Sequence, residues 1–235
     1  MITIRKQRLL EIFRLIFEAY KNRTGLFATH NAKSAGPQVK YRPVNVHEGD
    51  PNHLYWLTLV AFSDRRTNSE WLYKNFARMF GEHPKLFIRR EYPTAECMGQ
   101  LFRQYTIALP QKEIKLFLTR KRHLDEYFDG NPLMIYENVH NIDGLMKKLR
   151  VIARTHGIKN IFPGAKEKIF CLLAMFLREF TALNFDDVIP VDVWVQAIAV
   201  STRNLRGEGQ IQFRALERKL RPLITKKKKK FLEVE

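Results

Sequence analysis

The chain has 235 residues, enough for one large domain or two small ones, and its 45% hydrophobic share, with 17 Phe, suffices for a substantial core. Its 41 Lys and Arg against 24 Asp and Glu give a net charge of +17, and setting aside the five lysines of Lys226–Lys230 still leaves +12. The basic bias therefore belongs to the body of the protein and favours polyanionic partners, nucleic acid or anionic lipid. No apolar run approaches the ~18–20 residues of a membrane span, and two distant cysteines, Cys97 and Cys171, exclude a four-cysteine iron–sulfur cluster and fit a reducing cytoplasmic setting.

Residues 3–22 place Ile4, Leu9, Ile12, Phe13, Ile16, Phe17 and Tyr20 on one broad helical face, an amphipathic helix rather than a signal peptide. Thr24–Gly49, with Gly25, Gly36, Pro37, Pro43 and Gly49 and little periodicity, reads as a long irregular segment. An apolar helix is expected over Leu54–Ser63, with Asp50 or Asn52 as its cap. After the polar break Asp64-Arg-Arg-Thr-Asn68, a second runs over Ser69–Phe80 with Trp71, Leu72, Phe76, Met79 and Phe80 inward. Pro93-Thr94 opens a helix over 95–107, and Pro110 separates it from one over 111–128, where Asp125-Glu126 read as surface charge.

Asn141 or Asp143 can cap a helix over 144–155, which His156-Gly157 ends by a glycine C-cap. The stretch Ile161–Ile169, IFPGAKEKI, then leads into an apolar helix reaching Phe180. Beyond the loop Asn184–Pro190, helices are expected over 192–202 and 210–221. With no convincing period-two alternation, the chain reads as all-α. A single unit covers 1–225, as one body or two helical lobes, and a basic tail over 226–235 reads as disordered.

IFPGAKEKI concentrates positive charge at the end of a helix where positive charge is least favourable. A Pro-Gly turn opening onto a helix N-terminus directs backbone amides outward, and with the helix dipole they form an anion site suited to a nucleic-acid phosphate. Gly164, Ala165 and Lys166 are the residues expected to make those phosphate contacts.

The run F-P-G-x-x-x-K-I, an apolar helix, and then Ile189-Pro-Val-Asp-Val193 resembles the helix–hairpin–helix DNA glycosylases of base-excision repair, most of all their 8-oxoguanine glycosylase/lyase branch. The resemblance covers about Gly157–Thr202 and implies an all-α fold of two helical lobes around a central cleft, with the helix–hairpin–helix over about 144–180. Pro163 and Gly164 match the hairpin's Pro-Gly, Lys168 falls on the family's nucleophilic lysine, and Asp192 on its catalytic aspartate. Ser63-Asp-Arg-Arg-Thr67 occupies the place at which such enzymes insert a residue into the duplex, which nominates Arg65 and Arg66. The chain departs from the family's pattern at three points: Lys166 replaces the second hairpin glycine, Lys168 and Asp192 lie 24 apart, and Trp194 stands where relatives often carry His.

The implied chemistry explains the residue types. Base excision with opening of the sugar through a Schiff base needs an amine nucleophile at C1′, neutral when it attacks, which is the role of Lys168. Asp192 would take the amine proton and stabilise the sugar cation that forms as the base departs. The damaged base must leave the stack for a pocket, and Trp194, Phe213 and Cys171 are the candidates to line it. Neither a metal nor an organic cofactor is implied. The resemblance points to a monomeric DNA-repair enzyme acting on double-stranded DNA that contains an oxidised base, 8-oxoguanine first. Such an enzyme is cytoplasmic and nucleoid-associated in a prokaryote and nuclear in a eukaryote. Two alternatives remain open: a glycosylase for a different damaged base, and a non-catalytic hairpin module binding DNA or RNA in which Lys168 only contacts phosphate.

Overall fold

The computed structural model describes residues 36–64, 68–107, 111–186 and 205–206, with scattered positions before residue 23. One compact unit spans Ala35–Asp186, and the second joins Met1–Ser34 to Asp187–Glu235. In that second unit, β1 (Thr3–Ile4) pairs antiparallel with β2 (Leu205–Arg206), Thr3 opposite Arg206. The amphipathic helix expected from residue 3 therefore begins after this pair; residues 7, 8, 11, 12, 14, 15 and 18 are helical. The helices expected over 192–202 and 210–221, and the basic tail, lie outside the described residues.

Among the described residues of the unit Ala35–Asp186 every regular element is helical, in keeping with an all-α fold. Within the stretch expected to be irregular, Pro37–Lys40 forms a single helical turn, α1. The centre is α2 (Pro51–Ser63), which starts on a proline at its first turn and is buried from His53 to Ser63. A helix apolar all round has to be covered on every side, and α3 (Ser69–Glu82), α5 (Gln111–Phe128) and α8 (Glu167–Phe180) all pack on it. Asp50 occupies the N-cap position of α2, but its side chain caps nothing there and accepts the His47 amide instead, at 3.3 Å.

α3 starts where Asn68 Oδ1 accepts the Trp71 amide at 3.3 Å. Leu72, Tyr73, Phe76, Met79 and Phe80 are buried, whereas Trp71, expected inward, is 59% exposed. At 100° per residue it falls on the side of α3 opposite that face, where Lys74 Nζ lies 5.8 Å from its ring centroid. A 3-10 turn (Pro84–Phe87) leads to α4 (Ala95–Gln104), capped by Thr94 Oγ1, which accepts the Cys97 amide at 3.2 Å. Phe76, Phe102 and Phe117, with ring centroids 5.4–5.8 Å apart, lock α3, α4 and α5 together.

α5 follows its expected bounds, and Ile114, Phe117, Leu124 and Phe128 are buried as their spacing requires. The same inward stripe includes Arg120, Lys121 and Asp125, at 1%, 0% and 1% exposure. Asp125 is thus not surface charge. It accepts from Tyr55 Oη at 2.8 Å, the Arg90 amide at 3.0 Å and Lys121 Nζ at 3.3 Å. Lys121 also donates to the carbonyls of Ile88 and Glu91, each at 3.0 Å, and lies 5.0 Å from the Tyr92 ring centroid. Every proton of that ammonium has an acceptor, which is the condition under which a buried charge is tolerated.

His53 lies between the rings of Trp56 and Phe180, with centroids 5.9 and 4.5 Å away, and its Nδ1 accepts the Gly49 amide at 3.1 Å. Burial, and then the charge of Arg42, hold its pKa down at about 4 against an ordinary 6.5. The unfolded chain takes up the proton first as pH falls, so stability from neutral His53 is present above pH 6.5 and is lost between 6.5 and about 4. Over that window, acid is expected to remove on the order of 1–3 kcal/mol by urea titration, a limb that disappears in His53→Gln. An unchanged acid limb in the variant would contradict this assignment.

Candidate nucleic-acid interface

After the short α6 (Leu133–Tyr136), helix α7 (Ile142–Thr155), a connection over 156–166, and α8 form the helix–turn–helix expected from the sequence. Asn141 caps α7, accepting the Gly144 amide at 2.8 Å. The helix ends as predicted at His156-Gly157. Gly157, at φ +64°, donates to the Arg154 carbonyl at 3.1 Å, and Ile158 donates to that of Ala153 at 2.9 Å. Those two bonds define a Schellman stop, for which a positive φ makes glycine the natural residue.

The Pro-Gly turn has a defined geometry. The Ala165 amide donates to the Phe162 carbonyl at 3.0 Å across Pro163 and Gly164, and Gly164 has φ +82°. Proline second and a positive-φ glycine third make a type II turn. Ala165 is buried and its amide is spent inside the turn, so it does not contact a phosphate as expected. Gly164 and Lys166 are exposed. Lys166 sits at φ −120°, an extended conformation open to any residue, so the turn does not require a glycine there. It is the N-cap of α8 and offers no side-chain cap, and its carbonyl accepts the Ile169 amide at 2.8 Å.

The core positions this turn. Phe162 is fully buried, with the Phe62, Phe128 and Phe170 ring centroids at 4.8, 5.5 and 6.0 Å. Arg120 of α5 donates through Nε to the Pro163 carbonyl at 3.0 Å and through a terminal nitrogen to the Phe62 carbonyl at 2.9 Å. One guanidinium thus ties the turn to the last residues of α2, while Glu113 lies 3.3 Å from its other terminal nitrogen. His123, also on α5, bonds the Ile161 carbonyl, and Asn160 Oδ1 accepts the Phe162 amide at 3.0 Å.

Lys168 is exposed on the first turn of α8. Arg150 and Arg154 on α7, Lys159 in the connection and Lys166 are exposed too, so the hairpin and the helix before it present a cationic surface. Asp64, the residue after α2, belongs to the same neighbourhood. Its carboxylate accepts from Ser69 Oγ at 2.9 and 3.1 Å. Burial pushes its pKa up, against a downward pull from the Ser69 hydroxyl and the Lys168 charge. Sequence reading singled out neither Arg120, His123 nor Asp64.

Cys171, three residues after Lys168, is completely buried in the face that α8 turns to the core. Arg65, Arg66, Asp192, Trp194 and Phe213 lie outside the described residues. Among the described residues no helix is long and apolar enough to cross a membrane. Compared with known proteins, the chain matches no family profile, no curated protein and no solved structure.

Proposed function

We propose that the chain is a DNA glycosylase with β-lyase activity that removes an oxidised base, 8-oxoguanine first, from duplex DNA. The observation that carries this reading is a type II Pro-Gly turn that presents Lys168 to solvent on the first turn of α8, within a surface of further cations. Lys166 and its cationic neighbours hold the sugar–phosphate backbone, and the positive end of the α8 dipole adds to the field a phosphate would meet. Lys168 attacks C1′ of the deoxyribose as the base departs, forming the Schiff base through which the strand is opened. Asp192 has the role the resemblance implies, accepting the amine proton and stabilising the sugar cation.

A panel of duplexes, each with one oxidised base, tests this by sodium borohydride trapping. The expected result is a covalent protein–DNA adduct on the 8-oxoguanine duplex. Asp192→Asn is expected to slow base excision by roughly 10²–10⁴-fold with little loss of binding. Binding without adduct on every duplex would leave the non-catalytic hairpin module as the reading. Equal losses of excision and binding in Asp192→Asn would assign that residue a structural role.

A further inference from the structure

The lyase reading leaves open how a lysine on an exposed helix turn is held where it can react. Lys168 has a flexible four-carbon stem, and attack needs its amine in one geometry. Three observations bring the Asp64 carboxylate to the same end of α8. Asp64 follows directly on α2, and the Arg120 guanidinium binds both the Phe62 carbonyl, two residues before Asp64, and the Pro163 carbonyl, five before Lys168, at 2.9 and 3.0 Å. The Phe62 ring packs on Phe162 and Phe170, on either side of Lys168 in sequence, with centroids 4.8 and 5.7 Å away. Ser69 holds the Asp64 carboxylate in place, and Lys168 is the cation whose charge acts on it.

We propose that Asp64 is a positioning residue for Lys168, pairing with the ammonium so that the amine stays at the junction of the Pro-Gly turn and α2. This rests on the lyase reading and adds to it a residue to which the resemblance gives no role. The described groups acting on Asp64 are Ser69 and Tyr73 from α3 and Lys168 from α8. The Lys168 charge stabilises the ionised carboxylate, so losing it raises the carboxyl midpoint.

Two measurements on the full chain test this separately. Carbon-13 NMR of the Asp64 carboxyl, with the resonance assigned by its loss in Asp64→Asn, reads the pair without any DNA. Lys168→Gln is expected to raise the Asp64 midpoint and Lys166→Gln to leave it in place; no change in Lys168→Gln would overturn the pairing. Borohydride trapping on the 8-oxoguanine duplex reads its consequence. Asp64→Asn, which keeps an acceptor for Ser69, is expected to trap about 10- to 100-fold more slowly at saturating DNA. Its binding and thermal midpoint are expected to stay near those of the wild type. Asp64→Glu, restoring the charge, is expected to recover most of the rate. Wild-type trapping by Asp64→Asn overturns the positioning role alone. A wild-type protein that traps no duplex overturns the lyase reading and the positioning role with it, while the NMR titration still decides whether the pair exists.

Discussion

Replacing Lys168 with Gln is expected to abolish the trapped adduct, a loss of at least about 10³-fold, while duplex binding weakens by no more than a few fold. Gln is one atom shorter and keeps a polar end, but removes the amine that forms the Schiff base together with one positive charge. Binding survives because Arg150, Arg154, Lys159 and Lys166 on the hairpin and the helix before it remain exposed, and removing one phosphate-binding cation reduces the salt slope by only about one. Lys166→Gln is expected to do the opposite, weakening binding and its salt dependence while the adduct still forms. A Lys168→Gln protein that traps as the wild type does would place the nucleophile on another amine.

The second large effect is on stability. Lys121→Met is expected to cost about 3–5 kcal/mol, read from the urea midpoint with the slope unchanged. The thioether fills much of the lysine's volume but donates nothing. Asp125 keeps Tyr55 and the Arg90 amide as donors, yet its charge loses its counter-ion, and the Ile88 and Glu91 carbonyls lose their donor. Burial pushes the Lys121 pKa down while Asp125 pulls it up, so the ammonium persists only because its partners surround it. Lys121→Met with Asp125→Leu is expected to recover part of the loss, because no buried charge is then left alone. A cost below about 1 kcal/mol for the single change would show the network to be incidental.

The helical skeleton was legible where signals agreed. Asn68 closes the polar break and opens α3, His156-Gly157 closes α7, and Pro163-Gly164 forms the expected turn, because caps and positive-φ glycines act through local backbone chemistry. Trp71 misled because an aromatic residue next to an apolar stripe was counted as part of it, although its angular position lies opposite. Asp125 misled differently. Beside Glu126 it looks like solvated charge, but 114, 117, 121, 124 and 128 follow helical spacing, so Lys121 falls on the core stripe with an acid four residues on. A lysine on an apolar stripe with an acid at i+4 was the available signal of a buried ion pair.

Around the hairpin, Lys166 and Lys168 could be read from sequence because the turn and the helix start are local. Arg120, His123 and Asp64 could not, since they reach the hairpin by tertiary contact, Arg120 from 43 residues away. The two-residue pairing of Thr3–Ile4 with Leu205–Arg206 was hidden for a related reason. Two residues carry no alternation, and their partners lie at opposite ends of the chain.

The most direct test of the central claim is to digest the borohydride-trapped complex with 8-oxoguanine duplex and locate the sugar-modified residue by mass spectrometry. The expected result is a single modified peptide with the remnant on Lys168 Nζ. Modification at another lysine or at the N-terminal amine, with Lys168 unmodified, would contradict it.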